Sequence, residues 1–363
     1  MKFLATTVPG LERIAGEELE ARFDVDVEPQ HRGMVAFEAD PLAAFECNEH
    51  ARSLHRVLIE VADGRIETEQ DAYELTASLS IERYLDPGQA IAVRGSRHGT
   101  HDFTSVDVAE RVGQALVDRS REAFGERLPV DLDDPDVVFR AYVRDDRFVL
   151  AIDATGERSL HRRHWRECEH DAPLRPTIAH AMLRLAEYEP SDTLCDPMCG
   201  GGTIPIEAAL WARREPPGWW RDRFATEALT VLPDDGREQV RTAHDSRFAD
   251  QTVRGRDRQQ RWVRCATVNR RVAGLESVFE VEQADATEAA LDADVIAVDL
   301  PFGVRTTGDL PQLYASFVEN LETGDWDRFV AITTRPDLLE LPVTRRIDIK
   351  YGRLDATIVL VER

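Results

Sequence analysis

Four carboxylates fall where a β-branched or apolar run gives way to a turn. Asp196 closes "DTLCD" and leads into Pro197, Cys199, the glycines Gly200, Gly201 and Gly202, and Thr203. Asp257 closes "TVRGRD", Asp285 stands in "ADA" after "FEVEQ", and Asp299 closes "DVIAVD" ahead of Leu300, Pro301, Phe302 and Gly303. Three consecutive glycines allow backbone to approach a ligand closely and to take positive φ. The helix that follows offers free N–H groups, which bind phosphates and carboxylates alike. A dinucleotide site needs G-x-G-x-x-G and an acid about 20 residues on. Here the glycines are contiguous, Asp257 lies far later, and the lysine of a phosphate-binding P-loop is missing. The pattern fits S-adenosylmethionine better. Asp196 and the glycine loop face its amino-acid end, Asp257 its ribose hydroxyls, and Asp285 with Ala286 its adenine.

Those acids need strands to place them. From 166 to 363 the sequence alternates strand and helix: "DTLCDP", "TIPIEAALWARR", "TVRGRD", "RQQRWVRCATVNRRVAG", "FEVEQADA", "DVIAVDLPFG", "LPQLYASFVENL" and "RFVAITT". Such alternation predicts a doubly wound, largely parallel α/β sheet, with ligands at the C-terminal strand ends. "TRRIDIKYGRLDATIVLVER" predicts a final hairpin turning near Tyr351-Gly352, which gives the sheet an antiparallel edge, as in Rossmann-like class I methyltransferases. Residues 1–64 read β-α-β-β-α-β, the split pattern of a ferredoxin-like unit. Residues 65–165 form a second α+β unit, with a helix over 69–83, a strand at "QAIAVRGSRH" and a helix opened by Thr104 and Asp107. It closes with a hairpin through Asp145-Asp146.

At 363 residues the chain is long enough for two or three such domains. No apolar run approaches the ~18 residues of a membrane span, and the N-terminus lacks a signal-peptide core. Five scattered cysteines without a CxxC pair predict a reduced, cytoplasmic protein. The net charge of −23 would argue against a polyanionic partner. Lysine occurs only at Lys2 and Lys350, however, and such lysine-poor, acid-rich surfaces resemble halophilic proteins. At ~1 M salt the screening length is only ~3 Å, so local clusters outweigh net charge.

One cluster opposes the acidic background. "ERSLHRRHWRE" carries Arg158, Arg162, Arg163 and Arg166 around Trp165, and Arg94 and Arg97 end an earlier strand. Guanidinium forks suit phosphates and aromatic rings stack on bases, so these six arginines are candidate RNA contacts. His161, His164, Cys168 and His170 fit no standard zinc spacing, and no metal is expected.

"VRGSRHGTHDFTSVDVAERVGQAL", "VDLDDPDVVFRAYV" and "SLHRRHWR" resemble a THUMP domain preceded by its ferredoxin-like partner. That resemblance implies binding to structured RNA, chiefly the acceptor end of tRNA, and requires no protein partner. "DLPFG" resembles the [Asn/Asp]-Pro-Pro-[Tyr/Phe] motif of methyltransferases acting on exocyclic base amines. In that chemistry Asp299 and the Leu300 carbonyl accept the amine's two hydrogens, Pro301 stiffens the turn, and Phe302 stacks on the extruded base. Leu300 departs from the family's first proline. Together with "DAPLRPTIAHAML", "DPMCGGGTIPIEAA" and "DLPFGVR", the chain is similar nearly throughout to THUMP-containing guanine-N2 methyltransferases. The implied product is N2-methylguanosine in tRNA, nearest the subgroup modifying position 6.

An insertion over 213–251 separates the first two catalytic strands and holds Trp219, Trp220, Arg221 and Arg223. Covering its own apolar patch is the expectation for it, with RNA contact the other option. The competing readings are the same chemistry at tRNA position 10 or in large-subunit rRNA, a non-catalytic RNA-binding protein, and a nicotinamide dehydrogenase, which the glycine spacing disfavours.

Overall fold

Alternation builds the first sheet. The structure is a computed structural model that describes residues 1–169, 171–243, 252–303 and 309–363. Its N-terminal elements are β1 (Lys2–Thr6), α1 (Glu12–Phe23), β2 (Val27–His31), β3 (Met34–Glu38), α2 (Ala43–His50) and β4 (Arg56–Arg65). They continue with α3 (Glu69–Ala77), β5 (Ile91–His98), α4 (Ser105–Phe124), β6 (Val137–Arg144) and β7 (Arg147–Asp153). The ferredoxin-like and THUMP-like units share one seven-stranded sheet, ordered β2-β3-β1-β4-β7-β6-β5, joined where β4 pairs antiparallel with β7. Phe3, Phe37, Ile59, Phe139, Phe148 and Ile152 point to one face and pack with Leu19, Ala72, Val112 and Leu116 of the helices. The alternate residues Leu4, Met34, Ala36, Leu58 and Ala151 form a small cluster on the other face. The predicted helix over 69–83 stops at Ala77, and a single 3-10 turn follows at Ile81–Arg83. α4 is capped reciprocally: Thr104 N donates to Asp107 at 2.7 Å and Asp107 N to Thr104 Oγ1 at 3.2 Å.

The C-terminal half follows with α5 (Pro176–Leu185), β8 (Leu194–Asp196), α6 (Thr203–Ala212), α7 (Gly236–Thr242), β9 (Val253–Asp257) and α8 (Gln260–Val272). β10 (Phe279–Gln283), β11 (Val295–Asp299), α9 (Leu310–Thr323), β12 (Arg328–Thr333), β13 (Arg345–Tyr351) and β14 (Leu354–Glu362) complete it. The sheet runs β10-β9-β8-β11-β12-β14-β13, parallel except for β14, which pairs antiparallel with β12 and β13. Strand order reverses between β8 and β11. The crevice of a doubly wound sheet lies at that switch point, beyond the strands' C-terminal ends. Among the described residues no helix is long and apolar enough to cross a membrane.

The two halves are welded together. Val8, Leu11 and Ile14 are buried in the core of the C-terminal half with Ile178, Leu185 and Ile349. Pro9 O accepts from Lys350 N at 2.8 Å. Gly10 has φ +105, and a Cβ there would stand 2.3 Å from the carbonyl oxygen of Asp348, so β13 can approach only a glycine. The insertion, as far as residue 243, packs onto the N-terminal unit. Phe224, Leu229, Leu232 and Val240 join the N-terminal core, and Arg237 and Arg241 converge on the buried Glu49 at 2.7 and 3.0 Å. It therefore covers the neighbouring domain's apolar surface, where the sequence suggested a patch of its own.

Candidate functional site

Asp196, Asp257 and Asp285 stand at or just past the ends of three adjacent strands, β8, β9 and β10. Asp196 is buried at the switch point, and its Oδ1 accepts Met198 N at 3.1 Å. Burial raises its carboxyl well above the usual range, and the charges of Asp299 and Asp257 raise it further. Gly200 and Gly202 adopt left-handed φ of 52° and 84°. Gly200 N donates to Asp257 Oδ2 at 3.2 Å, while Asp257 Oδ1 accepts Gln259 N at 2.7 Å. Cys199 N donates to Arg256 O at 2.7 Å, tying the loop to β9. Pro197 and Cys199 are buried in the turn. Asp285 accepts Thr287 N and its hydroxyl at 3.0 and 2.8 Å, and Ala286 O accepts Asn320 Nδ2 at 2.9 Å.

The donor set suits a cationic ligand with a nucleoside. Among the described residues no guanidinium or ammonium stands within ion-pair distance of Asp196 or Asp299, although their charges couple. A ligand carrying a sulfonium and an ammonium would compensate both. The helix of α6 begins at Thr203, whose hydroxyl accepts from Arg166 at 3.0 Å, leaving a polar N-terminus beside the loop.

Asp299 ends β11, next to β8, and is half-buried. Burial pushes its carboxyl up to about 7. Leu300 N donates to Ile332 O at 3.1 Å, and its side chain fills the core beside Tyr314 and Phe317. The leucine that replaces the family's proline thus serves packing while the backbone holds the turn. Pro301 O accepts the Tyr314 hydroxyl at 3.0 Å. Phe302 stands edge-on to Tyr351, centroids 6.2 Å apart at 87°. The Tyr351 hydroxyl donates to Pro173 O at 2.7 Å, and the Arg175 guanidinium lies 5.6 Å over its ring. Of "DLPFGVR", Val304 and Arg305 lie outside the described residues.

Asn269 was not singled out in the sequence. It is buried on α8 and makes four hydrogen bonds. Its Nδ2 donates to Gly201 O at 2.8 Å and Cys168 O at 2.9 Å; its Oδ1 accepts Glu167 N at 3.1 Å and Cys168 N at 2.8 Å. One turn earlier Cys265 is disulfide-bonded to Cys168. The expectation of a wholly reduced protein is thereby corrected: the partners lie 97 residues apart, which no CxxC spacing could reveal. The signal available was a polar Asn and a Cys four residues apart on one helical face.

The arginine strip does not present one surface. Arg158 and Arg162 are exposed, as is Arg94, whose guanidinium donates to Leu132 O. Arg97 is half-buried and held by Gly99 O at 2.8 Å. Arg166 is half-buried against Leu174 O at 2.7 Å and Thr203. Arg163 is buried, bound to Glu207 at 2.9 Å, and Trp165 is fully buried. Arg163 and Trp165 are therefore domain-joining residues, which corrects the reading of Arg163 as an RNA contact. Among the described residues no group of His, Cys, Asp and Glu could hold a metal; His170 lies outside them.

A doubly wound sheet with a glycine loop and strand-end acids at its switch point, closed by an antiparallel hairpin, defines a class I methyltransferase, whose methyl donor is S-adenosylmethionine. A family model described as the RMKL-like methyltransferase domain matches residues 163–351, the THUMP domain matches 67–153, and the RlmL ferredoxin-like domain matches 2–58. The chain belongs to this THUMP-bearing methyltransferase family. The tRNA (guanine(6)-N2)-methyltransferase of Archaeoglobus fulgidus is 36% identical over 321 residues, covering 87% of this chain and 78% of that one. The Methanocaldococcus jannaschii protein of the same name is 29% identical over 330 residues, covering 88% and 86%. The fold is shared with SMU.472, a putative methyltransferase complexed with SAH, at TM-score 0.90 and 24% identity over 99% of this chain and 97% of that one.

Proposed function

We infer that this enzyme methylates the exocyclic N2 of a guanosine in tRNA, at position 6 of the acceptor stem, which makes it a cytoplasmic enzyme. The observation that carries the reading is the placement of Asp299 on β11, beside Asp196 on β8, with Pro301 and Phe302 fixed just beyond. Asp196, the loop from Pro197 to Thr203, Asp257, Asp285 and Ala286 hold the cofactor. When bound, S-adenosylmethionine would supply an electrophilic methyl on a sulfonium, whose sulfur keeps the pair of the broken C–S bond as a neutral thioether.

The guanine amine is a poor nucleophile because its lone pair is delocalised into the ring. Asp299 and the Leu300 carbonyl accept its two hydrogens and direct the lone pair at the methyl. Phe302 stacks on the extruded base, and positioning supplies much of the rate. As nitrogen gains the methyl it becomes cationic, and Asp299 stabilises that charge and takes the proton. With its pKa near 7, the carboxyl can then return the proton to solvent. The names of the two archaeal relatives support guanine-N2 and position 6.

Incubation with unmodified tRNA transcript and methyl-labelled cofactor, followed by nucleotide mapping, tests the proposal. Label in N2-methylguanosine at position 6 is the expected result. Label at position 10, or transfer to large-subunit rRNA alone, would overturn the target. No transfer to any RNA would overturn the reaction.

A further inference from the structure

Trp220 is the one exposed Phe, Tyr or Trp side chain among the described residues, 55% accessible, whereas Trp165, Trp262 and Trp326 are buried. A single exposed hydrophobic residue is ordinary on a protein surface and by itself means nothing. This one is held in a fixed pose. Its ring stacks on His164 with centroids 4.4 Å apart and planes 20° from parallel. Its indole N–H donates to Glu215 Oε1 at 3.2 Å. Both nitrogens of His164 are buried without a partner, and burial pushes its pKa down to about 4, so a neutral imidazole backs the indole at neutral pH.

Arginines lie on the segment that the insertion grips next to Trp220. The neighbouring Arg221 guanidinium donates to Arg158 O and Ser159 O at 2.5 Å each, and to Arg162 O at 3.5 Å. It draws the segment carrying the exposed Arg158 and Arg162 against the insertion. Neither of these arginines, nor the exposed Arg223, pairs with an acid among the described residues. Glu157 and Asp222 are the exposed acids beside them, and Glu215 is already engaged by the indole. The same segment continues along α6: Arg163 meets Glu207, and Arg166 meets Thr203 at the glycine loop. The ring thus sits where the insertion meets the THUMP-to-catalytic connection, on a chain path that ends at the cofactor loop.

We propose that Trp220 is a stacking platform for an unpaired nucleotide of the RNA substrate, with Arg158 and Arg162 on the flanking phosphates. The insertion thereby gains a role beyond packing: it delivers a rigid indole to the binding surface. On a chain with net charge −23, long-range attraction to RNA is absent, so short-range stacking and fork-like phosphate contacts must carry the affinity. The inference rests on the RNA substrate proposed above.

Filter binding of unmodified tRNA transcript to the full chain tests it, alongside calorimetric titration with S-adenosylmethionine. Stacking on an aromatic side chain contributes about 1–3 kcal/mol per base, roughly a 5- to 150-fold change in affinity. Trp220→Ala should lose that much RNA affinity, Trp220→Phe should keep most of it, and both should bind cofactor as the parent does. The Trp220→Ala deficit should persist as salt is raised, whereas that of Arg158→Ala with Arg162→Ala should shrink. Unchanged RNA affinity in Trp220→Ala would overturn the stacking role alone. A loss that Trp220→Phe reproduces in full, with weakened cofactor binding, would identify a structural role and overturn it equally. Failure of the parent protein to bind any tRNA would instead remove the proposed substrate, and the platform with it.

Discussion

Arg163 and Glu207 form an ion pair with almost no access to solvent, Nε to Oε1 at 2.9 Å. Arg52, from the connection between α2 and β4, reaches the other carboxylate oxygen at 3.3 Å. One buried acid on α6 therefore joins the ferredoxin-like unit, the connecting segment and the catalytic domain. The surplus cation is spread over carbonyls: Arg163 donates to Leu160 O and Arg52 O, and Arg52 to Leu210 O and Glu215 O. Burial alone would raise Glu207, but the two guanidiniums hold its carboxyl below the usual range. This joint ties the THUMP-bearing half to the methyltransferase domain.

Removing the acid strands two buried cations, which costs more than the pair contributes. Glu207→Gln should destabilise the protein by about 3–5 kcal/mol in urea unfolding. A loss under 1 kcal/mol would mean that water or carbonyls already compensate the arginines.

The two neighbouring arginines should separate cleanly. Arg163→Ala should lower the unfolding midpoint, because its guanidinium binds only protein. Arg162→Ala should leave the midpoint unchanged and weaken tRNA binding at low salt, with a salt slope reduced by about one counterion. Equal RNA defects in the two variants would contradict this division.

Asp299 should impose a pH dependence on methyl transfer. In the proposed reaction the ionised carboxylate accepts the amine's hydrogens, and burial holds the proton on up to about pH 7. Activity should therefore rise with pH through about 7 in kcat/KM, which reports the free enzyme. A bound cation favours the ionised form, so the limb in kcat should fall at lower pH. Asp299→Asn and Asp299→Ala should bind cofactor yet lose nearly all turnover. A parent-like rate in either variant removes Asp299 from the chemistry.

Asn269 should set cofactor affinity without touching RNA. Asn269→Ala leaves the Gly201 and Cys168 carbonyls without that donor and two N–H groups without their acceptor, each costing about 1–3 kcal/mol where water cannot enter. Cofactor affinity should fall about tenfold or more, an effect of about 1.4 kcal/mol. Asn269→Asp should be no better at neutral pH, since it sets a carboxylate oxygen against two carbonyl oxygens. Calorimetric titration with S-adenosylmethionine, with tRNA binding as the control, checks both.

Much of this is legible in the sequence, for physical reasons. Strand–helix alternation and strand-end acids are local signals, so β8 to β11 and the Asp196, Asp257, Asp285 and Asp299 positions could be read directly. Residues 69–83 misled because helical composition does not locate an end, and the chain breaks at Ser78 into a tighter turn. The arginine strip misled differently. Arg158, Arg162 and Arg163 look alike in sequence, and only tertiary packing decides which one meets Glu207. Trp165 is buried and Trp220 exposed for the same reason: burial of a ring is a property of its neighbours across the fold. Asn269 and the Cys168–Cys265 pair depend on a contact between segments about 100 residues apart, for which a single sequence carries no spacing rule.

That disulfide supplies the remaining test, of stability and of the glycine loop together. It closes a long loop, and the chain-entropy account gives about 4.7 kcal/mol for a loop of about 100 residues, although typical measured contributions are about 2–4 kcal/mol. Cys265 also lies directly behind the loop: a Cβ on Gly201 would stand 3.8 Å from its Sγ and 3.4 Å from Asn269 Nδ2. Breaking the bond should therefore loosen the segment at 167–168 and the glycine loop that Asn269 ties to it. Cys168→Ser should unfold at lower denaturant by an amount equivalent to about 2–4 kcal/mol and bind S-adenosylmethionine more weakly. Dithiothreitol should reproduce both effects in the parent protein and add nothing in Cys168→Ser. If reductant leaves the parent's midpoint unchanged, the bond contributes nothing to the folded state, and the clamp on the loop is Asn269 alone.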